Sequence, residues 1–205
     1  MSAAPNRDRQ AERREATRRE IVDAAWEIAR RDGLGAVTLR EVAAMIGMRS
    51  PSLYSHFDSK NAIYDAMFGQ AWTLFLAEAE QNFEDLPEAP REALLAIVRH
   101  FYDFSVADVA RYQLMNQRSI PGFVPSDAAY APSVQVIDLL QRTFHRLGIT
   151  DGADVDLFLA LGGGLLERQL ANEPGGDRWL RQLPRVIDMF ADDLDLPGPP
   201  LRSTT

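Results

Sequence analysis

Residues 36–60, AVTLREVAAMIGMRSPSLYSHFDSK, decide how this chain folds. Thr38-Leu39-Arg40-Glu41 has the T-x-x-E form of a capping box, and Val37 is placed to staple onto Val42. A short helix starts there, with Val42, Ala43 and Ile46 as its apolar stripe. Gly47 stands where a left-handed C-terminal cap is wanted. Ser50 is suited to cap a second helix, with Pro51 at its first position, where no amide is needed. The chain therefore turns sharply and presents a recognition helix of about two turns. That helix carries Arg49, Ser50, Ser52, Tyr54, Ser55 and His56. Leu53 and Phe57 read as apolar plugs holding it to its neighbours, and Tyr54 as a surface hydroxyl. This is the layout of a helix-turn-helix whose second helix enters a DNA major groove.

Upstream, Ile21, Ala24, Ala25 and Ile28 form one face of a helix expected over residues 9–31, and Gly33 ends it. Residues 1–8 are expected to be a disordered arm. Downstream, Asp58 or Ser59 caps a fourth helix running to about Glu84. Pro87 and Pro90 separate it from an amphipathic helix over 91–106. Asp108 is suited to cap a short helix to Met115 or Asn116. Pro121, Gly122, Pro125 and Pro132 mark a loop over 117–132. Helices are expected over 133–147, 153–172 and 177–194, with Pro184 kinking or delaying the last. Residues 196–205 read as a disordered tail. No segment has strand periodicity and no repeat is visible. The fold class is all-α, with about nine helices. The organisation is a DNA-binding domain over 1–60 and a second helical domain over 61–195.

The 205 residues suffice for a substantial core, and the chain has no cysteine, which excludes disulfides and thiolate metal sites. No apolar run approaches the roughly 20 residues of a membrane helix. The N-terminus lacks the apolar core of a signal peptide, so a soluble, cytoplasmic protein with no membrane partner is expected. The net charge of -8 conceals an asymmetry. Residues 1–60 carry 11 basic and 9 acidic side chains, residues 61–205 carry 11 and 21. DNA binding needs only a local basic face. His56, His100 and His145 lack metal-ligand spacing, and no nucleophile elbow, zincin motif or phosphate loop is present. No metal, no cofactor and no enzymatic activity are expected.

The quoted stretch resembles the TetR family of bacterial transcriptional regulators. The family pattern, T-x-R-x-I-A-x-x-A-G-V-S-x-x-x-L-Y-x-H-F-x-x-K, is met here by Thr38, Arg40, Val42, Ala43, Gly47, Met48, Leu53, Tyr54, His56, Phe57 and Lys60. Arg49 departs from the small polar residue usual after the turn, and Ile46 from the small residue before the glycine. The resemblance spans residues 15–68. It implies that Thr38, Tyr54, His56 and Lys60 contact the DNA backbone, and Arg40, which also matches the pattern, is a further DNA-binding candidate. Arg49, Ser50 and Ser52 are then the candidates for base edges, Arg49 with guanine in particular. The arginine-rich start, six arginines against three acids over residues 7–19, adds either sequence-independent attraction or only a solvated helix end.

The resemblance further implies a C-terminal domain that binds a small effector and pairs with a second copy. Trp72, Phe75, Phe101, Phe104, Tyr112, Met115, Phe123, Tyr130 and Phe158 are enough to line an apolar cavity, or equally to fill a core. The cavity is expected between the fifth, seventh and eighth helices, for a hydrophobic or amphipathic molecule. His100, Tyr102, Asn116 and Gln117 are candidates for polar specificity. Gly163, Leu166, Leu170, Trp179, Leu183, Val186, Ile187 and Phe190 are candidates for a homodimer interface, and Gly162 and Gly164 add room for close approach. A homodimer suits a pseudo-palindromic double-stranded operator. A constitutive DNA-binding or adaptor protein without an effector is the alternative.

Overall fold

The computed structural model describes residues 4–201. Among these residues the chain is all-α, with no strand. Nine α-helices run α1 Ala4–Asp32, α2 Leu39–Met45, α3 Ser50–Leu53, α4 Lys60–Glu84, α5 Pro90–Ala107, α6 Val109–Asn116, α7 Asp127–Arg146, α8 Gly152–Asn172 and α9 Leu183–Asp193. Short 3-10 turns precede α2 and α9.

Four boundaries differ from the sequence expectation. Residues 4–8 of the expected arm are helical and extend α1, while 1–3 lie outside the described residues. α7 begins at Asp127 and contains Pro132, so the loop after α6 shrinks to 117–126. Pro132 has no N–H to offer the Ala128 carbonyl, and Ala128 is exposed, so water can satisfy that carbonyl. The final helix is delayed rather than kinked: Pro184 sits in the first turn of α9, where its missing N–H is harmless. The expected tail is partly held. Leu196 is buried and its carbonyl accepts from the Arg91 guanidinium, and the Leu201 amide donates to Asp188 at 2.9 Å. Residues 202–205 of that tail lie outside the described residues.

The chain divides into two compact units, residues 1–72 with 108–131, and 73–107 with 132–205. The division differs from a boundary at residue 60. α4 and α7 each contribute to both units, because a helix long enough to hold two cores need not end where one of them does.

In the first unit α1 packs on α2 and α6, and α2 on α3. Its core is Ile21, Ala25, Ile28, Val37, Val42, Leu53, Ile63, Tyr64 and Met67, each at most 1% exposed. Arg30 on α1 meets Asp108 at 2.8 Å, and the other Asp108 oxygen accepts from the Arg111 amide and caps α6. One carboxylate thus starts a helix and ties it to α1. In the second unit α5 packs on α8 and α9 around Leu94, Phe144, Leu166, Leu183, Ile187 and Phe190. Arg91, 7% exposed, pairs with Asp188 at 3.3 Å and Asp192 at 2.6 Å, so its buried charge is compensated. Those carboxylates hold the Arg91 guanidinium above its ordinary pKa, the hydrogen bond to Asp192 first.

Candidate nucleic-acid interface and effector cavity

The turn between α2 and α3 is built as its residues require. The Thr38 hydroxyl accepts from the Glu41 amide at 3.1 Å, which caps α2. Gly47 has φ 65°, the left-handed region that favours glycine. The Met48 amide reaches the Ala43 carbonyl at 2.8 Å and the Gly47 amide reaches Ala44 at 3.3 Å, the paired bonds of a Schellman end. The chain then enters α3 one residue earlier than expected. Arg49 is the cap residue, Ser50 is already helical and Pro51 is second. α3 spans four residues rather than two turns. It continues as tighter turns, with Ser55 bonded to Ser52 and His56 to Leu53.

Leu53 and Phe57 are buried, as their spacing predicts, and burying each side chain contributes roughly 1.5–3 kcal/mol. Their anchoring leaves Thr38, Arg40, Arg49, Ser52 and Tyr54 exposed, with Ser50, His56 and Lys60 half-buried. Tyr54 is 54% exposed, so its hydroxyl is on the surface. Arg49, Ser52 and Tyr54 thus project from one short helix into solvent. Lys60 is less free than its motif position implies. Its ammonium donates to the Gly35 carbonyl at 3.3 Å and lies 5.1 Å from the Tyr64 ring.

Sequence reasoning missed what holds the far end of the recognition helix. Arg14 donates to the Ser55 carbonyl at 3.2 Å, and Arg18 donates to the His56 carbonyl. The Arg18 guanidinium also lies 4.0 Å over the Phe57 ring. Cations at a helix C-terminus are favoured by the aligned carbonyls. The signal was present as two arginines four apart on one face of α1, but their target lies about 40 residues away in sequence. Tyr64 was missed for the same reason: its buried hydroxyl donates to the Leu34 carbonyl in the turn before α2.

The nine candidates, eight aromatics and Met115, fall in different surroundings. Phe75 packs with Phe101 at 5.9 Å, Phe104 at 4.8 Å and the His100 ring at 5.3 Å. Phe158 sits between Phe144 and Phe190, at 4.9 and 5.7 Å, and fills the core of the second unit. Tyr112 is buried at 4% exposure, and Trp72 packs on Phe68. Met115, Phe123 and Tyr130 line an open cavity of about 450 Å³ within the first unit. Its walls come from α4, α6, the loop after α6 and the start of α7, not from the fifth and eighth helices. Phe68, Ile120 and Val124 join it, as do Asn116 and Gln117 among the expected polar residues. Val124 is 82% exposed, which marks the cavity mouth. His100 and Tyr102 lie elsewhere. Burial lowers the His100 pKa and raises that of Tyr102, and among the described residues neither His100 Nε2 nor the Tyr102 hydroxyl has a hydrogen-bond partner.

Leu166, Leu183, Ile187 and Phe190, at most 3% exposed, are core residues of the second unit with no area left to offer a partner. Gly163, Leu170, Trp179 and Val186 are half-buried. The large apolar side chains open to solvent on α8 and α9 are instead Leu157, Leu159 and Met189, and Gly164 is also exposed. Among the described residues no helix is long and apolar enough to cross a membrane, and no cluster of three or more ligating side chains is placed to hold a metal.

A capped helix, a Schellman turn and a short exposed second helix define a helix-turn-helix module. Residues 21–67 match the family model of bacterial regulatory proteins, tetR family. The class A tetracycline repressor protein from transposon 1721 of Escherichia coli is 27% identical over 77% of this chain and 69% of its own length. Against two further curated regulators the match spans about half of each, 50% and 48%. Among solved structures, a protein with unknown function from Rhodococcus sp. RHA1 superposes with TM-score 0.73 at 18% identity, over 86% of this chain and 94% of that one. AibR, in complex with isovaleryl coenzyme A and operator DNA, superposes with TM-score 0.60 at 19% identity, over 85% and 96%. At these identities the structural likeness is one of fold. The chain belongs to the TetR family of bacterial transcriptional regulators.

Proposed function

We propose that this regulator binds a pseudo-palindromic DNA duplex as a homodimer, and that a small apolar or amphipathic molecule releases it, so that it acts as a repressor. The observation that carries this reading is the recognition helix. Arg49, Ser52 and Tyr54 are exposed on it while Leu53 and Phe57 fix it from beneath. Arg49 and Ser52 read base edges, with Ser50 beside them. Thr38, Arg40, Tyr54, His56 and Lys60 hold the DNA backbone, which sets register.

One short helix reads too few bases to be selective alone, and a two-fold dimer doubles the site. The open apolar positions of α8 and α9, with the half-buried Gly163 and Val186, support a self-complementary interface there. The cavity beside α6 supports an effector site, and AibR, in complex with isovaleryl coenzyme A and operator DNA, supports a fold that takes both a small ligand and DNA.

The test is selection of bound duplexes from a random pool, with sedimentation of the free protein. Enrichment of a symmetric motif by a dimer is expected. A monomer at micromolar concentration selecting no symmetric site would defeat the reading.

A further inference from the structure

We infer that the effector is an organic cation with a compact apolar body, seated in the cavity beside α6. This rests on the ligand-responsive reading and names the ligand class for that site. Three aromatic residues line this space. Phe68 and Tyr130 are nearly parallel, 6.3 Å apart at 10°, and Phe123 meets Phe68 edge-on at 6.3 Å and 64°. Ring faces carry the negative end of the aromatic quadrupole, and a cation within about 6 Å of a centroid is attracted to them. Asp127 lines the same cavity and forms no ion pair among the described residues.

The competing occupant is an anion, drawn by Arg118 and by the start of α7. The local chemistry disfavours it. Asp65 already accepts from the Ser126 amide at 2.6 Å and the Ser126 hydroxyl at 2.8 Å, so the helix start has its carboxylate. An anion would meet the Asp127 carboxylate, with Arg118 as the lining cation. The cavity volume of about 450 Å³ suits a small drug-sized molecule.

The site also has a path to the DNA-binding turn within the same unit. The Phe123 ring lies 5.7 Å from that of Tyr64. The Tyr64 hydroxyl holds the Leu34 carbonyl, and Lys60, over the Tyr64 ring, holds Gly35. A ligand that displaces Phe123 therefore presses on the side chain that ties α4 to the start of the helix-turn-helix.

The probes are benzyltrimethylammonium, its uncharged carbon isostere neopentylbenzene, and isovaleryl coenzyme A as an anion, titrated calorimetrically into the full chain. The cation is expected to bind about tenfold more tightly than the isostere. Asp127→Asn should weaken the cation about fivefold and leave the isostere unchanged, and Tyr130→Leu should narrow the gap further. Circular dichroism checks that both variants are folded. Equal binding of cation and isostere, tighter binding of the anion, indifference to Asp127→Asn, or no heat from any probe each overturns the assignment. DNA release is scored separately. A neutral or anionic ligand that releases DNA sinks the cation class and leaves the regulator reading standing. Cation binding that meets the affinity criteria but leaves DNA bound supports the ligand class and defeats the release mechanism.

Discussion

Three consecutive glycines in the middle of α8 should respond to the same substitution with different signs. A mid-helix Gly→Ala change is intrinsically stabilising by about 0.8–1.0 kcal/mol, because alanine has less backbone freedom to lose. At Gly162 that gain is opposed. A Cβ there would fall 2.7 Å from Val98 Cγ2 on α5, and Val98 is itself buried at 4% exposure. Valine is branched at Cβ and stiff about χ1, so it cannot swing aside, and the helices must separate. Overpacking of this kind costs about 1–3 kcal/mol, which leaves Gly162→Ala neutral to destabilising by about 2 kcal/mol. At Gly163 and Gly164 a Cβ meets nothing within 4 Å, so each should stabilise the chain by the full intrinsic amount. Urea unfolding followed by circular dichroism, at several protein concentrations, measures this. Adding Val98→Ala to Gly162→Ala should recover the packing part of the loss in a double-mutant cycle. Three equal effects, or a stabilising Gly162→Ala, would refute the reasoning. The same variants test the proposed interface. Gly163→Ala and Gly164→Ala should weaken self-association in sedimentation while stabilising the dilute chain.

Other expectations follow from single contacts. Asp108→Ala removes the cap of α6 and the partner of Arg30, and should lower stability by about 1–2 kcal/mol in chemical denaturation. Arg18→Ala removes the clamp on the His56 carbonyl and the contact with Phe57. It should weaken binding to every duplex while leaving the salt slope nearly unchanged, as expected of a positioning residue. Arg49→Ala should change which sequences are preferred, whereas Lys60→Ala should weaken all of them and lower the salt slope by about one; both are read by repeated selection across salt concentrations. Burial lowers the His100 pKa, so below the unfolded-state value of about 6.5 the unfolded chain takes up a proton that the folded chain refuses. Stability should fall as pH drops from 7 toward 5.5, and His100→Leu should flatten that slope.

The DNA-binding half was legible in the sequence because its determinants are local. Thr38 caps a helix three residues away, Gly47 ends one that starts eight residues earlier, and Leu53 and Phe57 lie four apart on a buried face. Such short-range rules act before any tertiary contact forms. The Asp108 cap was legible for the same reason. The boundary at Pro132 was not, because proline is a reliable stop only where its partner carbonyl cannot reach water.

By itself, then, the sequence determined the all-α class, the helix-turn-helix, its exposed Arg49 and Tyr54, and the family. Tertiary packing decided which aromatics stay open. Phe158, Phe75 and Phe123 are the same residue type, the first two on helices and the third in the loop after α6. Phe158 became core against Phe144 and Phe190, Phe75 packed against α5, and Phe123 came to face a cavity. Packing likewise turned Leu166 and Ile187 inward and left Leu157 and Met189 outside. The physical reason is that hydrophobic burial is non-directional: periodicity shows which face of a helix is apolar, but not which neighbour covers it or where that cover stops.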